Sequence, residues 1–326
     1  MYARVSTIQI DPAKLAYVCR YRSRMLRIFH RHLALLFLSI GSSVCHAQFN
    51  DLTVDLTPKE FIGTVDSNSL YLPFDLTADA DKSNTNASER TPGALNTRHP
   101  LVILIHACAG ITPLSKGDLA RWTTLLAEQG YAVFVIDQLS ARNVRPGENC
   151  IGMRRPVGQD RLIKDIFDVT EKLSRLPNIN PNRIFTLGFS LGAMTGASVA
   201  GETKGRRYAD KPHPRAIAGL YGGCRYGNGR EVWLNGQEDL PILWLMGDKD
   251  EEAPARDCVA PVKYLQSRTQ ESEWHIYENA THCWDCRGLD GFRKVAGNGN
   301  SVEYHYDENA TKDSEQRVLK FFAKFK

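Results

Sequence analysis

The amino-acid sequence predicts an α/β fold, in which a central, mostly parallel sheet is covered by helices on both faces. From Leu101 onward, short apolar runs alternate with longer segments of helical periodicity, which is typical of parallel strands joined by helices. The run Pro100–Ile105 is apolar at every position, as expected of a central strand that is buried on both faces. The chain has 326 residues, which is enough to bury the core of one large domain.

The other elements follow in chain order. Residues 49–74 are expected to form the first edge strands, and the polar residues 78–99 an exposed loop. Further strands are predicted at residues 131–136, 183–187, 216–221, 241–246 and 273–277. Helices are predicted at residues 119–129, 159–176, 193–200 and 311–325. With no internal repeat in the sequence, residues 48–326 are expected to form a single domain.

The segment Gly188-Phe189-Ser190-Leu191-Gly192 lies between a predicted strand and a stretch of small residues that is expected to be helical. A serine at such a strand–turn–helix junction is lifted out of the sheet, with the amides of the helix N-terminus behind it. The glycines are required because a side chain at either position would collide with the adjoining strand or helix. Ser190 is therefore the candidate nucleophile.

A serine hydroxyl needs a histidine to take its proton, and the histidine needs a carboxylate that fixes its tautomer. In the fold that carries this turn, the acid and then the histidine follow the serine along the chain, each after a strand. The loop Gly247–Asp250 offers two carboxylates, Asp248 and Asp250, and the loop after the strand at 273–277 offers His282.

A fourth segment, His106-Ala107-Cys108-Ala109-Gly110, follows the first central strand. Together with Gly188–Gly192, Gly247–Asp250 and Ala280–His282, it resembles the α/β-hydrolase superfamily and, within it, the dienelactone-hydrolase-like family. The resemblance spans the chain from about residue 100 to the C-terminus.

The resemblance implies an α/β-hydrolase fold and assigns the catalytic acid to Asp250 rather than Asp248. It also implies that the backbone N–H groups of Cys108 and Leu191 stabilise the negative oxygen that forms when Ser190 attacks a carbonyl. His106 is interpreted as a structural histidine, hydrogen-bonded to backbone beneath the loop.

One departure from the family affects the expected substrate. Strict dienelactone hydrolases carry a cysteine nucleophile, whereas this chain has Ser190, which points to a general carboxylic-ester hydrolase. The expected activity is cleavage of a small-molecule ester or lactone through an acyl-enzyme, with no cofactor. Two alternatives remain open: an acyltransferase or peptidase that uses the same triad, and a secreted binding scaffold without catalytic activity.

Charge is unevenly distributed along the chain. The net charge of +4 comes from the first 47 residues, and the remainder, with 34 basic and 36 acidic residues, carries a net charge of −2. No basic surface suited to nucleic acid is therefore expected.

The N-terminal segment 1–47 resembles an export signal. Arg24, Arg27 and Arg31 precede the apolar run Leu33–Ile40, which is too short to span a membrane, and small residues end the segment before Gln48. Translation starting at Met25 would give a leader of ordinary length. We expect a periplasmic or extracellular protein with no membrane span in the mature chain.

Six cysteines remain after such cleavage, and an even number in an exported protein predicts disulfides. Six cysteines allow fifteen pairings. The order of the strands favours Cys108–Cys150, Cys224–Cys258 and Cys283–Cys286, because the first two pairs follow neighbouring strands. A zinc site formed by His282, Cys283 and Cys286 is the less favoured alternative, because the triad already uses His282.

Residues 142–156 form a long irregular segment, and loops at this position often shape the pocket. Arg142, Arg145, Arg154 and Arg155 could attract an acidic group of a substrate or simply be solvated. The sequence decides neither this, nor the substrate, nor the oligomeric state.

Overall fold

The fold is built around one eight-stranded sheet. In the computed structural model, the strands in chain order are β1 (Pro58–Lys59), β2 (Ser69–Tyr71), β3 (His99–Ile105), β4 (Ala132–Ile136), β5 (Ile179–Phe189), β6 (Ala216–Leu220), β7 (Arg225–Tyr226), β8 (Glu231–Val232), β9 (Ile242–Gly247), β10 (Glu273–Tyr277), β11 (Arg293–Val295) and β12 (Ser301–Glu303). The central sheet has the order β1-β2-β4-β3-β5-β6-β9-β10, whereas β7–β8 and β11–β12 form two small separate pairs. Within the central sheet only β2 and β4 pair in the antiparallel sense, so the predicted mostly parallel sheet is confirmed.

The structure describes residues 51–73, 97–150, 156–201, 205–226 and 231–326, all of them within a compact unit that runs from Asp51 to Lys326. The expected export signal, nearly all of the polar loop at 78–99, and Arg154 and Arg155 lie outside these residues.

Five helices cover the two faces of the central sheet: α1 (Pro113–Glu128), α2 (Gln159–Ser174), α3 (Leu191–Val199), α4 (Val259–Arg268) and α5 (Glu308–Ala323). Strand β3 shows why both faces are buried. Its residues Val102 and Leu104 pack in the same cluster as Trp122 of α1 and Phe322 of α5. The alternate residues of β3 pack instead with Ile166 of α2. An apolar run without alternation therefore places β3 between two layers of helices, as the sequence predicts.

The helix boundaries differ from the sequence-based expectation at α1. This helix begins at Pro113, six residues before the predicted start at Leu119. Thr112 caps it: the Thr112 side chain accepts a hydrogen bond from the backbone N–H of Ser115 at 3.2 Å, and the Thr112 N–H donates to Ser115 Oγ at 2.9 Å. This reciprocal cap, followed by proline at the first helical position, stabilises a first turn that lacks an apolar face.

The order of strands determines where a ligand can bind. Strands β4 and β5 lie on opposite sides of β3, so the connections leaving the carboxyl ends of β3 and β5 diverge and leave a crevice between them. Ligands of open parallel sheets bind at this kind of switch point. Within the described residues, the structure contains no helix that is long and apolar enough to cross a membrane.

Candidate active site

Ser190 occupies the sharp turn between β5 and α3. Its φ is 52° and its ψ is −113°, a conformation that is uncommon for a residue with a side chain. The turn is tight on both sides: a Cβ on Gly188 would lie 2.3 Å from the backbone oxygen of Gly192, and a Cβ on Gly192 would lie 2.1 Å from the backbone oxygen of Ile105. Only glycine fits these two positions, and the serine side chain is therefore held at the carboxyl edge of the sheet.

The structure brings His282 and Asp250 to this serine, although the three residues are distant in sequence. His282 Nε2 lies 3.0 Å from Ser190 Oγ, and His282 Nδ1 lies 2.7 Å from Asp250 Oδ2. His282 comes from the loop after β10 and Asp250 from the loop after β9. All three side chains are buried, so water competes little for these hydrogen bonds.

Asp250 is oriented by the backbone of its own loop. Its Oδ1 atom accepts hydrogen bonds from the N–H groups of Glu252 at 2.9 Å and Ala253 at 2.7 Å, which leaves Oδ2 directed at His282. The other carboxylate of the loop, Asp248, is one-third exposed and lies 3.7 Å from Lys249 Nζ. Asp248 makes no contact with His282 among the described residues, and the histidine therefore meets Asp250.

A further carboxylate, which the sequence analysis missed, lies close to the histidine. Glu252 Oε2 is 3.9 Å from His282 Nε2. Glu252 accepts hydrogen bonds from the Tyr304 hydroxyl at 2.6 Å and from Lys294 Nζ at 2.9 Å. In sequence Glu252 is one of two adjacent glutamates in an acidic loop. Only its contacts with residues distant in the chain distinguish it from Glu251, so no sequence pattern identifies it.

These charges determine the pKa of His282. Burial is the largest single influence and lowers it, but the negative charges of Asp250 and Glu252 together outweigh burial, and the pKa of His282 is raised above its ordinary value. For Glu252, burial raises the pKa, but His282, Lys294 and Tyr304 together hold it below its ordinary value. The site therefore favours a positive charge on the imidazole, as a histidine that accepts a proton from serine requires.

The loop after β3 forms the other side of the site. Cys108 and Leu191 line, together with Ser190 and His282, a small cavity of about 40 Å³. Leu191 is the first residue of α3, so its N–H is one of the helix N-terminal groups without an acceptor inside the helix.

His106, at the start of this loop, has a different role. Its Nε2 accepts a hydrogen bond from the backbone N–H of Gln138 at 3.2 Å, so Nδ1 carries the proton and donates it to the carbonyl oxygen of Ala107 at 2.7 Å. Burial is the main cause of its lowered pKa, against the opposing effect of Asp137. His106 is thus a neutral, structural histidine, in line with the sequence-based interpretation.

Three disulfides are present among the described residues, and they join the pairs expected from the order of strands: Cys108–Cys150, Cys224–Cys258 and Cys283–Cys286. The first ties the loop after β3 to the segment after β4, and the third lies directly after His282. The sulfurs of Cys283 and Cys286, which the alternative zinc site would use, are bonded to each other. In the part of the chain that the structure describes, no three histidine, cysteine or carboxylate side chains are grouped so as to bind a metal ion.

A cavity of about 810 Å³ opens onto Ser190 and His282. Most of its lining is apolar, with the aromatic side chains of Trp122, Phe189 and Tyr221 on one side. Tyr221 follows β6, and its ring packs edge-on against His282 with 5.0 Å between the ring centres. The cavity is large enough for a small organic ester with both of its halves.

A further buried carboxylate, Asp285, links side chains that line this cavity to Arg121. It accepts hydrogen bonds from Trp122 Nε1 at 2.8 Å, from the Tyr221 hydroxyl at 2.9 Å and from Arg121 at 3.0 Å. The side chain that packs on His282 is therefore positioned through Asp285. Asp285 was not predicted from the sequence, where it lies between Cys283 and Cys286 without a pattern of its own.

The arginines that the sequence analysis considered for substrate binding have other partners where they are described. Arg142 forms a buried two-point ion pair with Asp165 of α2, with both nitrogen–oxygen distances 2.8 Å. Arg145 is exposed and lies 3.7 Å from Glu148. Neither side chain lines the 810 Å³ cavity.

Comparison with known proteins agrees with this architecture. The model of the dienelactone hydrolase family matches residues 88–326, which is well over half of the chain. The chain belongs to the dienelactone hydrolase family. It is therefore a member of a family of hydrolases, as its four motifs predict.

This dienelactone hydrolase family member is similar to one curated protein and to several solved structures. A Bradyrhizobium protein named "Probable 2-oxo-3-(5-oxofuran-2-ylidene)propanoate lactonase" is 26% identical over 208 residues, which cover 61% of this chain and 79% of that protein. A solved structure from Klebsiella pneumoniae, assigned as a dienelactone hydrolase, is 21% identical with a TM-score of 0.52 and covers 70% of this chain and 88% of its own. Esterase 2 of Thermogutta terrifontis is 11% identical with a TM-score of 0.52 and covers 83% of this chain and 97% of its own. At these identities the two structures support the α/β-hydrolase fold alone.

Proposed function

We propose that this protein hydrolyses carboxylic esters through an acyl-enzyme formed on Ser190. The observation that carries the proposal is the hydrogen-bonded chain from Ser190 Oγ to His282 Nε2, at 3.0 Å, and from His282 Nδ1 to Asp250 Oδ2, at 2.7 Å. A serine, a histidine and a carboxylate in this order form the arrangement that activates a hydroxyl for attack on an acyl carbon.

In the first half of the reaction, Ser190 Oγ attacks the ester carbonyl while its proton passes to His282 Nε2. The tetrahedral intermediate collapses when the ester C–O bond breaks, and His282 gives the proton to the departing alkoxide, which leaves as an alcohol. Asp250 keeps the Nδ1 proton in place and stabilises the imidazolium that forms. The negative charge of Glu252 favours the same imidazolium, which agrees with the raised pKa of His282.

In the second half, His282 takes a proton from water, and the resulting hydroxide adds to the acyl carbon. The bond to Ser190 Oγ then breaks, the proton returns to the serine, and the carboxylic acid is released. In both halves the carbonyl oxygen becomes negative. The backbone N–H groups of Cys108 and Leu191 are proposed to stabilise it, because these residues line the 40 Å³ cavity beside Ser190.

A fluorophosphonate probe and p-nitrophenyl acetate test this mechanism. We expect stoichiometric labelling of Ser190, a burst of nitrophenol and steady turnover from the oxidised protein. Ser190→Ala should abolish labelling and lower kcat by at least about 10⁴-fold.

Ser198→Ala is the matched control. Ser198 is buried on the same helix, where its hydroxyl donates to the Met194 carbonyl at 3.1 Å, and it does not line the cavity. Its replacement should leave labelling intact. Turnover by the Ser190 variant at the level of the unmodified protein would overturn the mechanism, and a complete lack of labelling and turnover would favour the binding scaffold.

Lactone hydrolysis is the second candidate activity, favoured by the name of the Bradyrhizobium relative. The same steps apply, but the alcohol and the acyl group belong to one molecule, so hydrolysis of the acyl-enzyme releases a single hydroxy acid. Measuring five- and six-membered lactones beside open-chain esters of equal carbon number would separate the two activities. If the protein transfers acyl groups, an added alcohol should compete with water for the acyl-enzyme. If it cleaves peptides, an added amide should compete with the ester for Ser190. Both effects are measured in the same assay.

Export is proposed on two grounds. Residues 24–47 have the pattern of a cleavable signal, and three disulfides persist most readily in an oxidising compartment. N-terminal sequencing of the protein recovered from the periplasm or medium of the native host should begin at Gln48. An intact N-terminus in the cytoplasm, together with reduced cysteines, would contradict export.

A further inference from the structure

Among the residues that line the 810 Å³ cavity, carboxylates outnumber cations. Four of its lining residues carry charge: Asp118, Glu252, Asp285 and Lys294. Lys294 lies 2.9 Å from Glu252, so this cation already has a carboxylate partner. Two further cations lie near Asp118: Arg121 is bound to Asp285 and to Glu315, and Arg287 donates a hydrogen bond to the Tyr306 hydroxyl at 3.0 Å. Among the described residues, Lys294 and Arg121 are therefore both engaged with carboxylates, and Arg287 with a hydroxyl group.

Asp118, on α1, is the lining carboxylate that forms no close ion pair among the described residues, although the positive charges of Arg121 and Arg287 act on it. Its Oδ2 atom is buried and has no hydrogen-bond partner among the described residues. Burial and the neighbouring charge of Asp285 raise the pKa of Asp118 to about 6, against the opposing charges of Arg121 and Arg287 and a hydrogen bond from the Arg287 backbone N–H. Near pH 8 Asp118 is still ionised, so its negative charge faces the cavity.

The mouth of the cavity is apolar. Leu114 in the first turn of α1 is 53% exposed, Phe292 before β11 is 42% exposed and Val295 at the end of β11 is 71% exposed, and all three line the cavity. These are half of the large apolar side chains that the described residues leave strongly exposed. Apolar side chains clustered at the rim of one cavity indicate a ligand that covers them.

We infer that the cavity takes uncharged esters with a large apolar part, and that Asp118 is a specificity-determining residue that disfavours substrates bearing a carboxylate. The inference rests on the proposed ester hydrolysis and deepens it. A carboxylate that enters this cavity loses hydration and finds Lys294 and Arg121 already paired with carboxylates. It also meets the negative charge of Asp118, which forms no close ion pair among the described residues. An alkyl chain of the same length gains contact with the apolar lining instead.

Three p-nitrophenyl esters of equal chain length test this at pH 8: the hexanoate, the hemiadipate and the methyl ester of the hemiadipate. The hemiadipate differs from the hexanoate by a terminal carboxylate, and the methyl ester restores neutrality at larger size. We expect kcat/KM to be at least about 100-fold higher for the hexanoate than for the hemiadipate, with the methyl ester within about tenfold of the hexanoate.

Asp118→Asn removes the charge and keeps the shape. It should raise kcat/KM of the hemiadipate relative to the hexanoate about tenfold. The matched control is Asp160→Asn, which removes a carboxylate from the exposed side of α2, outside the cavity, and should leave this ratio within about twofold. Asp118→Ala provides the same measurement if the asparagine variant does not fold.

The outcomes separate this inference from the mechanism. If fluorophosphonate labels Ser190 but the hemiadipate is cleaved within about threefold of the hexanoate, the specificity is overturned and the mechanism stands. An unchanged ratio in the Asp118 variants overturns the role of Asp118. If neither ester is cleaved and Ser190 is not labelled, both proposals fail. A preference for the hemiadipate would overturn the inference and make Arg154 and Arg155 the next residues to replace.

Discussion

Replacing Asp250 by asparagine is the sharpest test of the proposed triad, because the structure dictates how the new amide must sit. Two backbone N–H groups, of Glu252 at 2.9 Å and Ala253 at 2.7 Å, point at the Oδ1 position. Only the carbonyl oxygen of the asparagine can accept them. The amide NH₂ group then occupies the Oδ2 position, 2.7 Å from His282 Nδ1.

The substitution therefore reverses the tautomer of His282. Facing a donor, Nδ1 must become an acceptor, and the imidazole proton moves to Nε2. A protonated Nε2 cannot take the proton of Ser190, which lies 3.0 Å away. Loss of the correct tautomer in a serine triad lowers kcat by about 10⁴-fold, equivalent to about 5.5 kcal/mol of transition-state stabilisation. The two backbone hydrogen bonds survive, so the melting temperature should change little.

Initial rates with p-nitrophenyl acetate, with the protein concentration taken from absorbance at 280 nm, give kcat for each variant. Asp248→Asn is the matched control, since Asp248 lies in the same loop but makes no contact with the histidine. Its kcat should stay within about threefold of the unmodified protein. A folded Asp250 variant that keeps more than about one-tenth of the activity, or a loss confined to the Asp248 variant, would refute the assignment.

Three further results are expected. Because the pKa of the active-site histidine is raised and its neutral form is the base, kcat/KM should rise with pH through a midpoint above the ordinary histidine value of about 6.5. Glu252→Gln should move that midpoint to lower pH, and an unchanged profile would exclude the charge effect. Gly192→Ala should lower the free energy of unfolding in urea by about 3 kcal/mol, because its Cβ would lie 2.1 Å from a backbone oxygen. Gly158→Ala is the control: its Cβ would meet open space, and the free energy of unfolding should change little. Equal stability of the two variants would contradict the packing argument. The cysteines of the Cys108–Cys150 disulfide are 42 residues apart, and replacing both by serine should lower the free energy of unfolding by about 4 kcal/mol in the same assay. A loss below about 1 kcal/mol would show that the bridge constrains the unfolded chain little.

Some elements of this fold could be predicted from local sequence patterns, and others could not. Strand β3 could be predicted because a short apolar run without alternation is typical of a strand that is buried on both faces, and the turn at Ser190 because two glycines flank it at the necessary spacing. The start of α1 was predicted six residues late, since its first turn is stabilised by the Thr112 cap and not by an apolar face. Strands β1, β11 and β12 are only two or three residues long and mostly polar, so the sequence carries no clear signal for their positions.

The amino-acid sequence by itself determined the fold class, the family and the three residue types of the proposed triad, because each depends on short-range patterns in a known chain order. Choosing between Asp248 and Asp250 on physical grounds required the tertiary structure, since two residues of one loop differ only in which of them faces the histidine. The tertiary structure also decided the positions of Glu252, Asp285 and Asp118 around the site. Their partners come from segments far away in the chain, and charges separated in sequence interact only after folding has brought them within a few ångströms in a buried, weakly screened environment.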